Sequence, residues 1–84
     1  MMIALDYDKT YTLDPEFWDS FISSASKRGH EVFCATMRHE TEPIEIPCAV
    51  IYTSRKAKAA YLKERGIVPD IWIDDNPAWL YTDG

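Results

Sequence analysis

Residues 2–10 have the sequence MIALDYDKT, in which a short apolar run is followed at once by two closely spaced aspartates. A run of this kind, bounded by polar residues, is typical of a strand that is buried on both faces of a parallel sheet. We therefore predict a strand over residues 2–5 that ends at Asp6, with Asp8 two residues beyond it. This strand decides the fold because the rest of the chain repeats its pattern.

Three further apolar runs, each ended by a polar residue, predict three more strands. They cover residues 31–35, 48–52 and 70–73, and they end at Thr36, Thr53 and Asp74.

The segments between these strands carry the signals of two helices. The first, over residues 14–28, begins with the cap and proline pair Asp14-Pro15 and ends before a glycine. The second, over about residues 55–65, has Ser54 as its cap and also ends before a glycine.

Alternating strands and helices indicate an α/β fold with a parallel sheet that is covered on both faces. Right-handed crossovers put the four strands in the order 3-2-1-4, so we predict a small Rossmann-like three-layer sandwich. The loop over residues 37–47 has 11 residues, just short of the roughly dozen that a parallel crossover usually needs. The direction of the third strand therefore stays open at this point.

Length and composition exclude several classes of protein. The 84 residues predict a single domain over residues 1–84 with no room for a cap domain, and the net charge of −5 disfavours nucleic acid as a partner. A local basic cluster could still bind a phosphate. No apolar run approaches the ~20 residues of a membrane span, and the acidic start is unlike a secretory leader.

Cys34 and Cys48 stand in apolar surroundings, so we expect free thiols and a cytoplasmic protein.

Parallel strands place their carboxyl ends at one edge of the sheet, so the polar residues that end them should meet there. Asp6 and Asp74 end the two strands that flank the reversal in strand order, and Asp8 and Asp75 lie beside them in sequence. Four carboxylates in one crevice repel one another unless a cation neutralises them. Mg²⁺ binds such oxygen ligands, so the pattern predicts a magnesium site.

The pentapeptide at residues 6–10, DYDKT, resembles the Asp-x-Asp-x-Thr signature of the haloacid-dehalogenase-like (HAD) phosphatases. Three further elements similar to those of that family follow in the same order: Thr36 at the end of the second strand, Lys58 eight residues before Gly66, and Asp74-Asp75 after the last strand. The resemblance covers roughly residues 2–76. It implies a Mg²⁺-dependent phosphatase, a phosphoric monoester hydrolase, without a cap domain.

The resemblance also implies a role for each matched residue. Asp6 would attack the phosphorus and form an aspartyl-phosphate, and Asp8 would protonate the leaving oxygen and then activate water. Thr36 would donate a hydrogen bond to the phosphoryl group, and Lys58 would supply positive charge.

For the metal, the resemblance implies that Asp6, Asp74 and the backbone carbonyl of Asp8 hold Mg²⁺. Asp75 would act through a water molecule or orient the other ligands.

Several alternatives stay open. Arg55 and Lys56 compete with Lys58 for the role of the cation. A fifth strand is missing, so one sheet edge is exposed and a homodimer is plausible. The short chain also fits a non-catalytic protein that binds Mg²⁺ and a phosphorylated ligand or partner. The order of the acidic elements disfavours a receiver-type phosphoacceptor. The substrate stays open between a small molecule and a phosphorylated macromolecular end.

Overall fold

Four strands form one sheet in the computed structural model of the chain, which describes residues 1–84. The strands are β1 (Met2–Leu5), β2 (Glu31–Thr36), β3 (Ala49–Tyr52) and β4 (Ile71–Ile73). They lie in the order β3-β2-β1-β4, and every neighbouring pair is parallel. The predicted sheet and its strand order are therefore confirmed, and β3 runs parallel to β2 despite the short loop before it.

The register brings the ends of β1 and β4 together. Leu5, the last residue of β1, pairs with Ile73, the last residue of β4. Asp6 extends this pairing by one step, because its backbone N–H donates to the carbonyl oxygen of Ile73 at 2.9 Å. Asp6 and Asp74 thus leave adjacent strands at the same level of the sheet.

Helix α1 (Pro15–Lys27) agrees with the predicted boundaries to within one residue at each end. Asp14 caps it, since its side chain accepts a hydrogen bond from the backbone N–H of Phe17 at 3.2 Å. Gly29 follows the helix with a φ of 82°, a left-handed conformation that glycine adopts without steric cost.

Helix α2 (Lys58–Glu64) begins later than predicted, and the assignment of Ser54 as its cap is wrong. Ser54 and Arg55 have φ values of 52° and 68°, which lie in the left-handed region and cannot belong to a right-handed helix. They form a turn that Thr53 stabilises by donating its hydroxyl to the carbonyl oxygen of Lys56 at 2.8 Å. Neither Ser54 nor Arg55 is a residue type that signals this conformation, so the pattern missed it.

The two helices cover opposite faces of the sheet. Ile22 of α1 packs with Leu5 on one face, and Leu62 of α2 packs with Ala4 on the other. Consecutive strand residues such as Ala4 and Leu5 point to opposite faces, so one buried strand supplies both cores. The predicted three-layer arrangement is confirmed. Neither helix has the length and apolar character that crossing a membrane requires.

Tyr11 begins a short 3₁₀ helix (Tyr11–Leu13) after the aspartate motif, and its ring packs with Leu5. The hydroxyl of this buried residue donates to Asp19 Oδ1 at 2.6 Å. That hydrogen bond, with a contribution from burial, raises the pKa of Tyr11 to about 12. The neutral phenol is therefore the form that the fold favours.

Replacing Tyr11 with Phe is expected to lower the free energy of unfolding at about pH 8 by about 1 kcal/mol, the net value of one hydrogen bond. Above about pH 10 the unfolded chain loses the Tyr11 proton while the folded chain keeps it, so the wild-type protein loses this stabilisation as the pH rises. The difference between the two proteins should therefore shrink toward about pH 11. Urea denaturation of both proteins at about pH 8 and about pH 11 measures this difference in the free energy of unfolding. A difference that stays constant would contradict the stabilising role of the Tyr11 hydrogen bond to Asp19.

Candidate functional site

A pocket of about 410 Å³ opens at the carboxyl edge of the sheet. Five of the six residues that the sequence predicts for the site line it: Asp6, Asp8, Thr36, Lys58 and Asp75. The sixth, Asp74, is not part of the lining, but its buried side chain contacts Lys58. The structure therefore brings all six predicted residues to one place.

Lys58 links the ends of the two central strands. Its Nζ donates to Asp6 Oδ1 at 2.8 Å and to Asp74 Oδ2 at 2.7 Å. The three side chains are buried, with exposed fractions of 3% for Lys58, 9% for Asp6 and 3% for Asp74. Two carboxylates thus share one ammonium group away from water, and their charges are only partly balanced.

Thr10, the last residue of the DYDKT pentapeptide, is a further site residue, and the sequence pattern alone assigns it no role. Its hydroxyl lies 3.2 Å from Asp6 Oδ2, to which it donates, and 3.4 Å from Asp75 Oδ1. Both oxygens of Asp6 are therefore engaged, one by Lys58 and one by Thr10. This pair of contacts fixes the orientation of the Asp6 carboxylate.

Asp6, Asp74 and Asp75 form a group of three acids, here called the acid triad. One carboxylate oxygen from each lies within 4.8 Å of the others. This donor set has the chemistry that a hard divalent cation such as Mg²⁺ prefers, and carboxylate oxygens keep lone pairs after accepting the hydrogen bonds described above. The Asp8 side chain lies outside the triad, and the Asp8 carbonyl oxygen accepts no backbone hydrogen bond.

The pKa values at the site reflect burial and crowding of charge. Burial raises the pKa of Asp6 to about 6, with a further rise from Asp75 and an opposing effect of Lys58. Burial lowers the pKa of Lys58, but the hydrogen bonds to Asp6 and Asp74 outweigh it and raise the pKa above the ordinary value. The lysine is therefore a fixed cation, whereas Asp6 carries a charge that further positive charge would stabilise.

Asp8 is held by Arg38, a residue of the loop after β2 that no sequence motif marks. Arg38 donates from Nε and Nη2 to the two oxygens of Asp8 at 3.0 and 2.8 Å. Its guanidinium carbon also lies 5.4 Å from the centre of the Tyr7 ring, a cation–π contact. The hydrogen bonds from Arg38 lower the pKa of Asp8, so this carboxyl is an anion at neutral pH.

Thr36 lies at the end of β2 and is buried, with 1% of its surface exposed. Its hydroxyl oxygen accepts a hydrogen bond from the backbone N–H of Arg38 at 3.3 Å. Because that contact uses an oxygen lone pair, the hydroxyl hydrogen remains available as a donor on the pocket side.

Of the three candidate cations, Lys58 is the one that the structure brings to Asp6. The Lys56 side chain is 66% exposed and its Nζ lies 3.9 Å from Asp83. The Arg55 guanidinium donates to Glu42 at 3.3 Å, and although Arg55 lines the pocket, it makes no hydrogen bond to Asp6. The late start of α2 explains this choice, since it places Lys58 in the first turn of the helix.

The assembled site can hold an anionic group between a metal ion and a set of donors. A buried carboxylate, a buried ammonium group and a free hydroxyl converge on one cavity, and the acid triad stands beside them. This arrangement suits phosphoryl groups, whose reactions depend mainly on positioning and charge stabilisation. Comparisons of the chain with protein-family models, with curated proteins and with solved structures give no match.

Proposed function

We propose that the protein is a Mg²⁺-dependent phosphatase that hydrolyses phosphoric monoesters through an aspartyl-phosphate on Asp6, as the resemblance to HAD phosphatases implies. The observation that carries the proposal is the position of Asp6. This one buried carboxylate belongs to the acid triad and at the same time accepts hydrogen bonds from Lys58 and Thr10. A nucleophilic carboxylate needs such a fixed orientation beside positive charge.

Each residue of the site then has a defined part. Asp6 attacks the phosphorus, while Lys58 offsets the charge on Asp6 and on the phosphoryl oxygens. Thr36 donates its free hydroxyl hydrogen to a phosphoryl oxygen. When Asp6 attacks, the bond from phosphorus to the leaving oxygen breaks, and Asp8 in its protonated form gives that oxygen its proton. Asp8 is then an anion in its pair with Arg38, and it accepts a proton from the water that hydrolyses the acyl phosphate in the second step, which restores its protonated form.

The acid triad would hold the magnesium ion. When bound, Mg²⁺ supplies positive charge that neutralises the phosphoryl oxygens and brings the anionic substrate to an anionic site. Thr10 keeps Asp6 and Asp75 in place for this purpose, because its hydroxyl lies within hydrogen-bonding distance of both.

A second candidate function is binding of Mg²⁺ and a phosphorylated ligand or partner without turnover. The observation that favours it is the 2.8 Å contact of Lys58 with Asp6 Oδ1, which occupies an oxygen of the nucleophile. An ion pair that holds this oxygen during the reaction would slow the attack. Tight binding without any release of phosphate would distinguish this function from the first.

The two cysteines suit a protein of the cytoplasm, which is the compartment we propose. Cys34 and Cys48 are both free, and Cys34 is buried. Free thiols persist in a reducing compartment. We propose a phosphorylated small molecule or a phosphorylated macromolecular end as the substrate, since residues 1–84 place no separate domain over the pocket.

The test is a phosphatase screen with a broad panel of phosphate monoesters, with Mg²⁺ and with excess EDTA. Release of inorganic phosphate over many turnovers, lost with EDTA, is the expected result. Calorimetry with the same panel measures binding. Binding without turnover would favour the second candidate, and neither binding nor turnover would contradict both.

A further inference from the structure

The pocket carries more positive charge than the proposed reaction uses. Lys9, Arg38 and Arg55 line it together with Lys58. Lys58 is buried and engaged with the acids below it, whereas the side chains of Arg38 and Arg55 are 32% and 48% exposed. Lys9, Arg38 and Arg55 are thus partly or fully exposed, and only Arg38 has a part in the proposed site, through its pair with Asp8. These three cations are here called the cationic rim.

Both arginines of the rim have hydrogen-bonding capacity to spare. A guanidinium group has five N–H donors, and Arg38 uses its Nε and Nη2 on Asp8 while its Nη1 has no protein partner. The Arg55 side chain makes only long contacts, 3.3 Å and 3.4 Å to Glu42 and 3.4 Å to the carbonyl oxygen of Met37. The long, exposed ion pair of Arg55 contributes little, so an incoming anion can compete for this guanidinium. Arg38 can offer its Nη1 to an anion while it keeps its two hydrogen bonds to Asp8.

The pocket is also larger than the transferred group needs. Its volume of about 410 Å³ falls within the range of sites that hold whole small molecules, about 300–1,000 Å³. A phosphoryl group at Asp6 occupies only the inner part. The cationic rim is part of the lining of the remaining volume, together with neutral residues such as Met37, Asn76 and Trp79, so the rest of a substrate has the rim within reach.

We propose that the substrate carries a second anionic group, a carboxylate or a second phosphate, which Arg38 and Arg55 bind at the rim while the phosphoryl group lies at Asp6. This inference rests on the proposed function and names its substrate class. Arginine suits the task because its planar fork matches carboxylate and phosphate oxygens in pairs. Arg38 then determines specificity in addition to holding Asp8.

Matched pairs of substrates test the proposal. The pairs are 3-phosphoglycerate with glycerol 3-phosphate, and glucose 1,6-bisphosphate with glucose 6-phosphate, whose members differ in the second anionic group. We expect the member with two anionic groups to have the higher kcat/KM, by about tenfold or more. If the preference appears in the glycerate pair alone, the second anionic group is a carboxylate. If it appears in the glucose pair alone, the second group is a phosphate.

Three variants test which side chains cause the preference for the doubly anionic substrates. Arg38→Gln should remove most of the preference for the doubly anionic member, through a higher KM for that member. Arg55→Gln should reduce the same preference. Arg65→Gln is the matched control, because Arg65 is 47% exposed, about as much as Arg55, and stacks on Tyr61 outside the pocket. It should leave the preference unchanged.

Equal kcat/KM within both pairs would overturn the proposal, and so would Arg38→Gln lowering both members of a pair by the same factor. No turnover of any of the four compounds or of the wider panel counts against the proposed function instead. Calorimetry of the same pairs with Mg²⁺ and wild-type protein then decides on the second anion. Equal affinities within both pairs would overturn it, and tighter binding of the doubly anionic members would support it.

Discussion

Replacing Asp6 with Asn is expected to reduce Mg²⁺-dependent phosphate release by at least about a thousandfold, because the amide cannot form the aspartyl-phosphate. The same change should leave the fold intact. Burial raises the pKa of Asp6 to about 6, so the ionised form of this carboxyl destabilises the folded protein. Lys58 also keeps Asp74 as a partner at 2.7 Å. We therefore expect the melting temperature of Asp6→Asn to equal or exceed that of the wild-type protein.

Steady-state assays with the best substrate of the screen, together with thermal denaturation of the same samples, measure both expectations. Glu64→Gln is the control for a lost carboxylate, since Glu64 is 78% exposed and lies at the end of α2. It should retain full activity. If Asp6→Asn keeps a substantial share of the activity while it is folded, Asp6 is not the nucleophile.

The position of the acids could be predicted from the sequence because it follows from strand topology alone. Short apolar runs ending in Asp6 and Asp74 fix where two strands stop, and a parallel sheet brings those ends together. No side-chain detail is needed for that step. The observed pairing of Leu5 with Ile73 confirms the alignment.

The contacts that depend on loop conformation could not be predicted in the same way. The turn at Ser54 and Arg55 has positive φ values at residues that usually avoid them, so the sequence predicts a start of α2 that is three residues too early. Arg38 reaches Asp8 across 30 residues of sequence, and nothing in the pattern of the loop after β2 marks it. Long-range contacts between loops depend on packing that local propensity does not encode.

Replacing Lys58 with Met is expected to lower the free energy of unfolding by about 3–5 kcal/mol in the absence of divalent cations. Methionine has a similar length, so packing changes little, but Asp6 and Asp74 lose the cation that both contact within 2.8 Å. Two buried carboxylates then face each other without compensation. Lys56→Met is the matched control, and with a side chain 66% exposed it should change stability by less than about 0.5 kcal/mol.

A second substitution and the addition of Mg²⁺ distinguish the loss of charge in Lys58→Met from a general packing defect. Asp6→Asn in the Lys58→Met background should restore part of the lost stability, because it removes one of the two unpaired charges. Mg²⁺ should raise the melting temperature of Lys58→Met more than that of the wild-type protein, since a cation at the acid triad replaces the missing positive charge. Urea denaturation and thermal melts with Mg²⁺ and with EDTA measure these effects. If neither Asp6→Asn nor Mg²⁺ recovers stability, the role of Lys58 is packing, and the electrostatic account of the acid triad fails with it.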